Sequence, residues 1–545
     1  MGKRFPSPHW LSMGHGGTES TAPWSLPTLT FLARTRRSRR PDIFLPTAHN
    51  FPTLKPSKLP SKTRPPLITN SQPTTENPAM NGITSPAERQ SEFLSVRPPP
   101  PPTGVTSRRS FLKQGARAAA ALAAPSLIPA SALGRGGAVA PSERINMGFI
   151  GLGGQGTGHL LGGAWTYVPG GYVARDDVQV LATCDVRRER RESARDRCNQ
   201  MYAKKLGQAS YNGVQAYNDF REVLARPDID AVLIAVPYHW AAPLATLAAR
   251  AGKDVYCEKP IAITLHEGRN LVETCRRFGR IYQAGMQQRS EYGGKFRLAC
   301  ELVRNGRLGQ LKEVYANRQP GAFFPSPWTS DQAVPVPDGF DWDLWLGPLP
   351  WRPYGGEAGH ALSGCFIGDV NWAPHHYDIA LWTVNPDVTA PIEVLYENKG
   401  GGPESAVIHY RFSNGVVLHS TAYPGERVGG DGGACFVGTE GRLAVDRANI
   451  VAYPANILKQ PLRPDDSRVY QANSHSGNFL ECIRSRRPTI THPETAVYTM
   501  NAILIGGIAL ALQRAVRWDP VKGEFPGDDQ ANRLLSYSAR LPWRT

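Results

Sequence analysis

Short apolar runs alternate with amphipathic segments between residues 143 and 287. The runs have the length of buried strands, and the segments between them carry apolar residues at helical spacing. This alternation predicts a parallel sheet with right-handed helical crossovers, in which ligands bind at the carboxyl ends of the strands. The predicted strands include the run that begins at Ile145, VQVLATCD, DAVLIAVP, KDVYCEKP and RIYQAGMQQ.

After residue 288 the pattern changes to apolar and polar residues in alternation, which is typical of half-buried strands. The stretches AVIHYRFSNGVVLHSTAY and ACFVGTEGRLAVD each place a turn dipeptide, Asn-Gly or Glu-Gly, between two such strands, and they predict hairpins. The 545-residue chain is long enough for two domains, which we place at 143–287 and 288–545.

The first 145 residues lack this patterning. They hold 22 of the 48 prolines and 13 of the 16 net positive charges, so the other 400 residues have an ordinary charge balance. Because few apolar clusters are available to offset chain entropy, residues 1–106 are predicted to be disordered. A basic tail that binds nucleic acid is the less favoured interpretation, since no aromatic or helical pattern organises these charges, and no nucleic-acid partner is expected.

Residues 107–140 have the layout of a secretory signal. Arg108 and Arg109 precede Phe-Leu-Lys, and an alanine-rich apolar stretch and an Ala-Ser-Ala cleavage site follow. The paired arginines predict export to the periplasm by the twin-arginine machinery, which carries folded proteins. Two prolines interrupt the apolar stretch, so no stable membrane span is expected there. Since such signals begin near an N-terminus, we expect the native start at Met80 and interpret residues 1–79 as an upstream extension.

The first strand runs into a glycine-rich turn. Gly151, Gly153, Gly154 and Gly156 form a Gly-x-Gly-x-x-Gly pattern that a helix-compatible segment follows. Such a turn lets the backbone approach a pyrophosphate, which then meets the N–H groups of the helix N-terminus. The order strand, turn and helix makes the motif informative, and it predicts a Rossmann dinucleotide-binding domain.

At the end of the second strand, Asp185 can accept hydrogen bonds from both hydroxyls of an adenosine ribose, which favours NAD. The same carboxylate could cap the following helix, and the two roles are compatible. Arg187 and Arg188 follow directly and could bind a 2′-phosphate, so NADP stays open.

The other strand ends also carry polar or turn-forming residues that we expect around the cofactor: Pro237, His239, Glu258, Lys259 and Gln287. Lys259 is the most informative of them. A lysine after a buried apolar strand costs desolvation energy unless a partner or a task holds it there. A solvated salt bridge with Glu258 is the structural alternative, but Lys259 falls where a nicotinamide ring would lie, which favours a functional role.

The eight cysteines contain no C-x-x-C pair and no metal-ligand spacing, so no metal is expected. Cys184 and Cys257 fall in apolar strands and are predicted to be core residues.

Six segments carry a wider pattern: GFIGLGGQG, AVPYHW, CEKPIA, NWAPHHYDIALW, NFLECIRSRRPT and LQRAVRWDPVKGEFPGDDQANRLLS. Together they resemble the glucose–fructose oxidoreductase, inositol dehydrogenase and rhizopine catabolism family, written Gfo/Idh/MocA, and in particular its exported bacterial members. The resemblance covers residues 144–545. It implies a Rossmann domain followed by an α+β domain with a large, mostly antiparallel sheet, whose open face supports homo-oligomers.

The family's second motif is Asp-x-Gly-x-His-x-x-Asp, and counting back from Asp378 puts its histidine at His375. Helical spacing agrees, because His375 and Asp378 share one helix face while His376 points elsewhere. A satisfied core histidine is the ordinary alternative for His375. Asn371 replaces the motif's first aspartate, so it can orient the imidazole but cannot raise its basicity by charge. Asp378 is expected at the substrate, and His376 either there or in packing.

The loop GFDWDLWLGPLPWRPYGG, residues 339–356, resembles a loop of the exported members. Trp342 could stack on a sugar and Arg352 could bind hydroxyls or a carboxylate. Aromatic clusters also pack for stability alone, which is the alternative.

The resemblance implies hydride transfer between NAD and a carbohydrate. His375 would take the hydroxyl proton while Lys259 stabilises the developing alkoxide. We therefore expect an exported NAD(P)-dependent oxidoreductase that acts on a sugar, polyol or glycoside. It would hold its NAD tightly, because free cofactor is scarce outside the cytoplasm. Two alternatives stay open: a redox-neutral enzyme that cleaves or modifies glycosides, and a cofactor- or carbohydrate-binding protein without turnover.

Overall fold

The structure is a computed structural model that describes residues 139–163, 166–317, 333–356, 371–384, 390–398, 400, 405–430 and 432–545. All of them belong to one compact unit, Ser107–Thr545. The extension predicted to be disordered, 1–106, and the predicted signal up to residue 138 lie outside the described residues.

A parallel sheet organises the first domain. Its strands are β1 (Ile145–Ile150), β2 (Val178–Cys184), β3 (Gln215–Tyr217), β4 (Ala231–Ile234), β5 (Asp254–Cys257) and β6 (Tyr282–Ala284). Its helices are α1 (Gly154–Leu161), α2 (Arg188–Leu206), α3 (Phe220–Ala225), α4 (Tyr238–Arg250) and α5 (Leu265–Phe278). The strand order is β3-β2-β1-β4-β5-β6, and each neighbouring pair is parallel. The predicted Rossmann domain is confirmed, and its strand order reverses between β1 and β4, where such sheets bind ligands.

Local sequence sets the ends of these helices. Helix α5 begins after Thr264, whose hydroxyl accepts a hydrogen bond from the Glu267 amide over 3.2 Å. It ends at Gly279, which has φ +60°, a left-handed conformation that glycine adopts without steric cost. The core strands β2 and β5 bury Cys184 and Cys257 as predicted, and both are free cysteines.

The second domain contains a mixed sheet. Its strands are β7 (Leu311–Tyr315), β8 (Glu393–Glu397), β9 (Val407–Arg411), β10 (Val417–His419), β11 (Ala434–Gly438), β12 (Arg442–Val445), β13 (Ile450–Tyr453) and β14 (Val516–Arg517). They lie in the order β13-β12-β11-β7-β10-β9-β8-β14. Strands β7 and β10 pair in parallel, and the other neighbours are antiparallel. The expected α+β domain is therefore confirmed.

The helices of the second domain cover one face of this sheet or connect its strands. They are α6 (Lys295–Arg304), α7 (Trp342–Leu346), α8 (Ala373–Thr383), α9 (His475–Ser485), α10 (Pro493–Leu512) and α11 (Asp529–Asn532). Short 3-10 turns lie at Pro141–Glu143, Tyr172–Ala174, Gln287–Arg289, Tyr292–Gly294, Ala455–Lys459 and Arg533–Leu535.

Side chains alternate across the second sheet as the sequence pattern predicts. The hairpin of β9 and β10 turns at Gly415, which has φ +83°. Ile408, Tyr410 and Leu418 are fully buried on one face, whereas His409 on the other face is partly exposed. The sheet therefore has one face in the core and one that stays open.

Helix α10 is mostly apolar. It has 20 residues, and an 18-residue stretch of it has a mean hydropathy of 1.7, which would suffice, by length and composition alone, for a membrane span. In this structure 72% of that stretch is buried, and the helix packs on α5 and α8. It is thus a core helix that joins the two domains, and Leu271 of α5 and Ile503 of α10 belong to the same buried cluster.

Candidate functional site

The glycine turn between β1 and α1 is shaped for close backbone approach. Gly151 has φ +87°, and a Cβ there would lie 2.3 Å from the carbonyl oxygen of Ala235. A Cβ on Gly156 would lie 1.8 Å from the Gly151 carbonyl oxygen, so the helix packs directly on the turn. A Cβ on Gly153 would meet its nearest atom at 3.8 Å, and one on Gly154 nothing within 4 Å. Gly151 and Gly156 form the tight turn, whereas Gly153 and Gly154 leave space at the helix N-terminus.

A cavity of about 250 Å³ lies beside this turn. We call it the glycine-turn cavity, and its lining includes Gly151, Gly153, Asp185, Arg187, Arg190, Ala235, Val236, Pro237, Trp240 and Trp345. The two oxygens of Asp185 accept hydrogen bonds from the amides of Leu152 (2.7 Å) and Arg187 (2.8 Å). Burial raises the pKa of Asp185 despite these bonds. Since a carboxylate has about four lone-pair positions, Asp185 can still accept bonds from ribose hydroxyls.

The arginines that follow Asp185 separate in space. The guanidinium of Arg187 lies 3.9 Å from the centre of the Phe340 ring, and Arg188 donates to Asp338 at an exposed position (3.2 Å). Arg190, which the sequence analysis did not single out, lines the glycine-turn cavity with Arg187. Arg190 therefore replaces Arg188 as the second cation of this cavity.

A second cavity, of about 370 Å³, lies at the carboxyl ends of β4 and β5. We call it the strand-end cavity, and it is lined by Gln155, Tyr167, Ala235, Val236, Tyr238, Glu258, Lys259, Gln287, Gln288, Tyr292, Trp372, His375 and Arg447. Ala235 and Val236 line both cavities, so the two adjoin and form one cleft along the topological switch of the sheet.

Lys259 reaches from the end of β5 to the second domain. Its Nζ donates to the backbone carbonyl of Asn371 (2.9 Å) and to the side-chain Oδ1 of the same residue (3.1 Å). The hydroxyl of Tyr238 donates to that Oδ1 as well (3.0 Å). Asn371, which was expected to orient His375, accepts these hydrogen bonds through its two carbonyl oxygens. Asn371 therefore positions Lys259.

His375 lies in the first turn of α8, where Pro374 fits as predicted. Its side chain borders the strand-end cavity, and its backbone carbonyl accepts a hydrogen bond from Gln288 (3.2 Å). Burial lowers the pKa of His375 well below its usual range, and the charges of Lys259 and Arg447 lower it further. The imidazole is thus neutral at neutral pH and can accept a proton.

A buried carboxylate also lines the strand-end cavity. Oε1 of Glu258 accepts hydrogen bonds from Gln155 (3.2 Å) and Gln287 (2.8 Å) and lies 2.7 Å from Nε2 of His159. Burial raises the pKa of Glu258, but these bonds, that of His159 first, outweigh it and leave the pKa below its ordinary value. The carboxylate of Glu258 therefore binds three protein side chains, and these hydrogen bonds hold Gln155 and Gln287 in place.

Two of the expected site residues, His239 and Trp342, contact residues of the loop 339–356. His239 is fully buried, its Nε2 lies 2.9 Å from the carbonyl oxygen of Trp345, and burial lowers its pKa to about 4. Trp342 stacks on Trp345 with ring centroids 4.8 Å apart, and its Nε1 donates to the carbonyl of Arg352 (2.7 Å). The loop 339–356 thus packs beside the glycine-turn cavity, because burying stacked indole rings is more favourable than exposing them.

Asp378, expected at the substrate, and His376, expected either there or in packing, both contact protein groups. Nδ1 of His376 lies 2.8 Å from the carbonyl oxygen of Asn317. Asp378 is 1% exposed and accepts two hydrogen bonds from Arg289, both 2.8 Å, and one from Thr499 (3.1 Å). All residues of helix α8 are buried, so the polar side chains that do not face the cavity contact protein groups.

The strand-end cavity holds residues that sequence reasoning missed. Tyr238 and Trp372 lie within the segments AVPYHW and NWAPHHYDIALW, and this position could have marked them as site residues. Tyr167 belongs to the long first crossover, and its hydroxyl contacts that of Tyr292 with the rings 5.4 Å apart. Arg447 comes from a turn of the second sheet, and no sequence pattern marked it.

Comparison with known families agrees with this geometry. Residues 145–286 match the family described as "Oxidoreductase family, NAD-binding Rossmann fold", and residues 295–545 match its "C-terminal alpha/beta domain". The chain belongs to the Gfo/Idh/MocA oxidoreductase family, and its first domain is an NAD-binding Rossmann domain.

Curated relatives come from Shewanella. A "Glycosyl hydrolase family 109 protein 1" of Shewanella sp. (strain ANA-3) is 30% identical over 220 residues, which are 37% of this chain and 44% of that protein. An "Alpha-N-acetylgalactosaminidase" of Shewanella oneidensis is 30% identical over 220 residues, with the same shares. The match therefore spans less than half the length of these relatives.

Solved structures with a similar chain course include a dehydrogenase and an oxidoreductase. The WlbA dehydrogenase from Bordetella pertussis, in complex with NADH and UDP-GlcNAcA, is 19% identical with a TM-score of 0.45, and the match covers 69% of this chain and 99% of that one. The aldose-aldose oxidoreductase from Caulobacter crescentus is 18% identical with a TM-score of 0.45 and the same coverage.

The cleft fits NAD. The space that a side chain on Gly153 or Gly154 would fill lies before the N-terminus of α1 and suits a pyrophosphate. Asp185 would hold the adenosine ribose in the glycine-turn cavity. The nicotinamide end would then reach the strand-end cavity, where Glu258 and Gln287 line the wall.

Proposed function

We propose that the protein is an NAD-dependent oxidoreductase that acts on a carbon–hydroxyl group of a sugar, polyol or glycoside. The observation that carries this proposal is the position of Lys259 and His375. They come from different domains and border the same cavity at the end of the NAD cleft. A proton acceptor and a cation that face one cavity are what the oxidation of an alcohol requires.

Lys259 and His375 would have separate roles, one in stabilising charge and the other in transferring the proton. Bound NAD supplies the hydride chemistry. Lys259, held by Asn371, donates a hydrogen bond to the substrate oxygen and stabilises negative charge as the proton leaves. Neutral His375 accepts that proton during oxidation and returns it during reduction.

A redox-neutral reaction is the second candidate, and the names of the Shewanella relatives favour it. A ring hydroxyl would first be oxidised, with its hydride going to bound NAD and its proton to His375 while Lys259 stabilises the oxygen. The aglycone would then be eliminated, water added and the ring reduced again. NAD ends such a cycle unchanged, so one retained cofactor serves many turnovers.

We further infer that the protein is exported by the twin-arginine machinery with its NAD already bound. The pattern around Arg108 and Arg109 supports export, and scarcity of free cofactor outside the cytoplasm supports retention. Mass spectrometry of the periplasmic protein should find a mature N-terminus near Leu133. A periplasmic species that retains residues 1–79 would contradict this inference.

We also infer that the protein forms a homo-oligomer through the open face of its second sheet. Partly exposed residues such as His409 and the exposed Tyr453 support this, because a wide open sheet face is suited to cover by a second copy. Light scattering coupled to size exclusion should give a mass that is a multiple of the chain mass, and a monomer would contradict the inference.

One experiment separates these functions. The nucleotide that co-purifies with the protein is released and identified, and the holoenzyme is then mixed with a panel of sugars and aryl glycosides. A change in the reduced-nicotinamide absorbance band supports the oxidoreductase. Release of the aglycone without a lasting absorbance change supports the redox-neutral enzyme. Saturable binding with neither signal would mean a binding protein and would overturn the proposal.

A further inference from the structure

Arg447 enters the strand-end cavity from the turn between β12 and β13. The carboxylate of Asp446 accepts hydrogen bonds from the amides of Ala448 (2.8 Å) and Asn449 (2.6 Å). Such an Asx turn fixes the backbone on both sides of Arg447. A hydrogen-bonded turn of the second domain thus fixes the position of the Arg447 backbone.

The guanidinium of Arg447 is oriented by its neighbours. Its Nε donates to Oε1 of Gln288 (3.0 Å). Its Cζ lies 5.2 Å from the centre of the Trp372 ring and 5.6 Å from that of Tyr292. Gly432 has φ +75°, and a Cβ there would lie 3.2 Å from Arg447 Nε, so the glycine leaves room for the side chain. A guanidinium held beside aromatic rings is preorganised and loses less entropy when it binds a ligand.

Two cations, Lys259 and Arg447, line the strand-end cavity. Lys259 is assigned to the reacting hydroxyl. Neutral hydroxyl groups are bound well by amides, whereas a planar guanidinium gains most from a carboxylate or phosphate, which it meets with two parallel hydrogen bonds.

We propose that Arg447 binds an anionic group of the substrate. The substrate class is then a sugar that carries a carboxylate or a phosphate away from the hydroxyl that reacts. This inference rests on the proposed function, because it takes the reacting hydroxyl to lie at Lys259 and His375. Arg447 is in this view a residue that determines specificity, and it neither gives nor takes the transferred proton.

Calorimetric titration of the NAD-loaded full chain tests the proposal without any need for turnover. The probes are two matched sets: glucose, glucuronate and glucose 6-phosphate, and galactose, galacturonate and galactose 6-phosphate. In at least one set an anionic member should bind about 10-fold or more tightly than its parent sugar, as expected for charge-assisted hydrogen bonds. Which anion is preferred distinguishes a carboxylate substrate from a phosphate substrate.

Variants show whether Arg447 causes the preference. Arg447→Gln should weaken the anion about 10- to 100-fold and leave the parent sugar unchanged. Arg447→Lys should restore part of the loss, because it keeps the charge but not the planar fork. Arg487→Gln is the matched control, since Arg487 is an exposed arginine that pairs with Glu481 and the change alters net charge equally.

The proposal is wrong if no anionic sugar outbinds its parent, or if Arg447→Gln weakens parent and anion alike. NAD content and melting temperature are measured for each variant, and if Arg447→Gln does not fold, the Arg447→Lys comparison decides. Anion binding without nicotinamide reduction or aglycone release would overturn the proposed function alone. Turnover of neutral sugars without an anion preference would overturn this inference alone.

Discussion

At the scale of single residues, Lys259 and His375 are expected to act as one unit on the substrate hydroxyl. Lys259→Met keeps the length of the side chain and removes its charge, so NAD binding should survive while turnover falls about 10²–10⁴-fold. His375→Ala should cost a similar factor. The double variant should lose far less than the product of the two, because groups that act together are non-additive. Single-turnover rates of NAD-loaded variants measure this.

His376→Ala provides the control for that pair. His376 is held against the Asn317 carbonyl, so its loss should affect stability or substrate affinity more than the chemical step. If His376→Ala abolishes turnover while His375→Ala is nearly neutral, the assignment of the proton acceptor is off by one residue.

The pH dependence follows from the surroundings of His375. Burial and then the charges of Lys259 and Arg447 hold the pKa of His375 well below its usual range. A proton acceptor works in its neutral form, so activity is lost only as pH falls through this lowered pKa. The acid limb of the kcat/KM profile should therefore lie below the ordinary histidine value of about 6.5.

Asn371→Asp tests whether nearby charge controls the pKa of His375. A carboxylate at this position adds negative charge near His375, which favours its protonated form, and the acid limb should move to higher pH. An acid limb that stays in place in Asn371→Asp, or one already above the ordinary value in the wild type, would show that another group controls the profile.

At the scale of secondary-structure elements, the two kinds of glycine in the β1–α1 turn should behave differently. A Cβ on Gly156 would lie 1.8 Å from a backbone oxygen, so Gly156→Ala should destabilise the fold by about 3 kcal/mol or more. A Cβ on Gly153 meets nothing closer than 3.8 Å, so Gly153→Ala should fold normally. It should nevertheless bind NAD more weakly, because the methyl group enters the space for the pyrophosphate.

Urea denaturation and NAD titration measure the two glycine effects separately. Equal losses of stability in both variants would mean that the open space before α1 is not a cofactor cradle.

Helix α8, which carries His375, is anchored by the ion pair of Arg289 and Asp378, 7% and 1% exposed. Asp378→Asn leaves Arg289 buried without its counter-charge and should lower the free energy of unfolding by about 3–5 kcal/mol. The exposed pair of Arg487 and Glu481 is the control, and Glu481→Gln should change stability by less than about 1 kcal/mol. A loss as small as the control's in Asp378→Asn would show that the helix is held by apolar packing alone.

At the scale of the whole molecule, NAD bound along the cleft would contact residues of both domains, so its binding should stabilise the entire compact unit. At 100 times its dissociation constant the gain is about 2.7 kcal/mol, which raises the melting temperature. We expect NAD to produce a larger shift than NADP at equal concentration, because Asp185 repels a 2′-phosphate. Asp185→Ala should narrow that difference, and Arg190→Gln should weaken NADP further. A larger shift with NADP in the wild type would mean that Arg187 and Arg190 outweigh Asp185.

Much of this molecule could be predicted from the sequence because it depends on patterns local in the chain. Strand and helix periods, the glycine turn and the Asn-Gly hairpin each involve residues within a few positions of one another, and all of them are present in the structure. The same holds for Lys259 at a strand end and His375 in the first turn of a helix. Backbone geometry alone places these side chains near the cleft.

The other contacts of the site residues depend on how the two domains pack, and the spacing of residues along the chain does not predict that packing. Asn371 meets Lys259, which is distant in sequence, since β5 ends opposite the start of α8. Asp378 meets Arg289 because α8 is enclosed on all sides. Arg447 reaches the cavity only through the position of the second sheet. Contacts between residues distant in sequence arise from tertiary packing. Each buried polar or charged group then pairs with the complementary group that the packing brings within reach, because leaving it unpaired is costly.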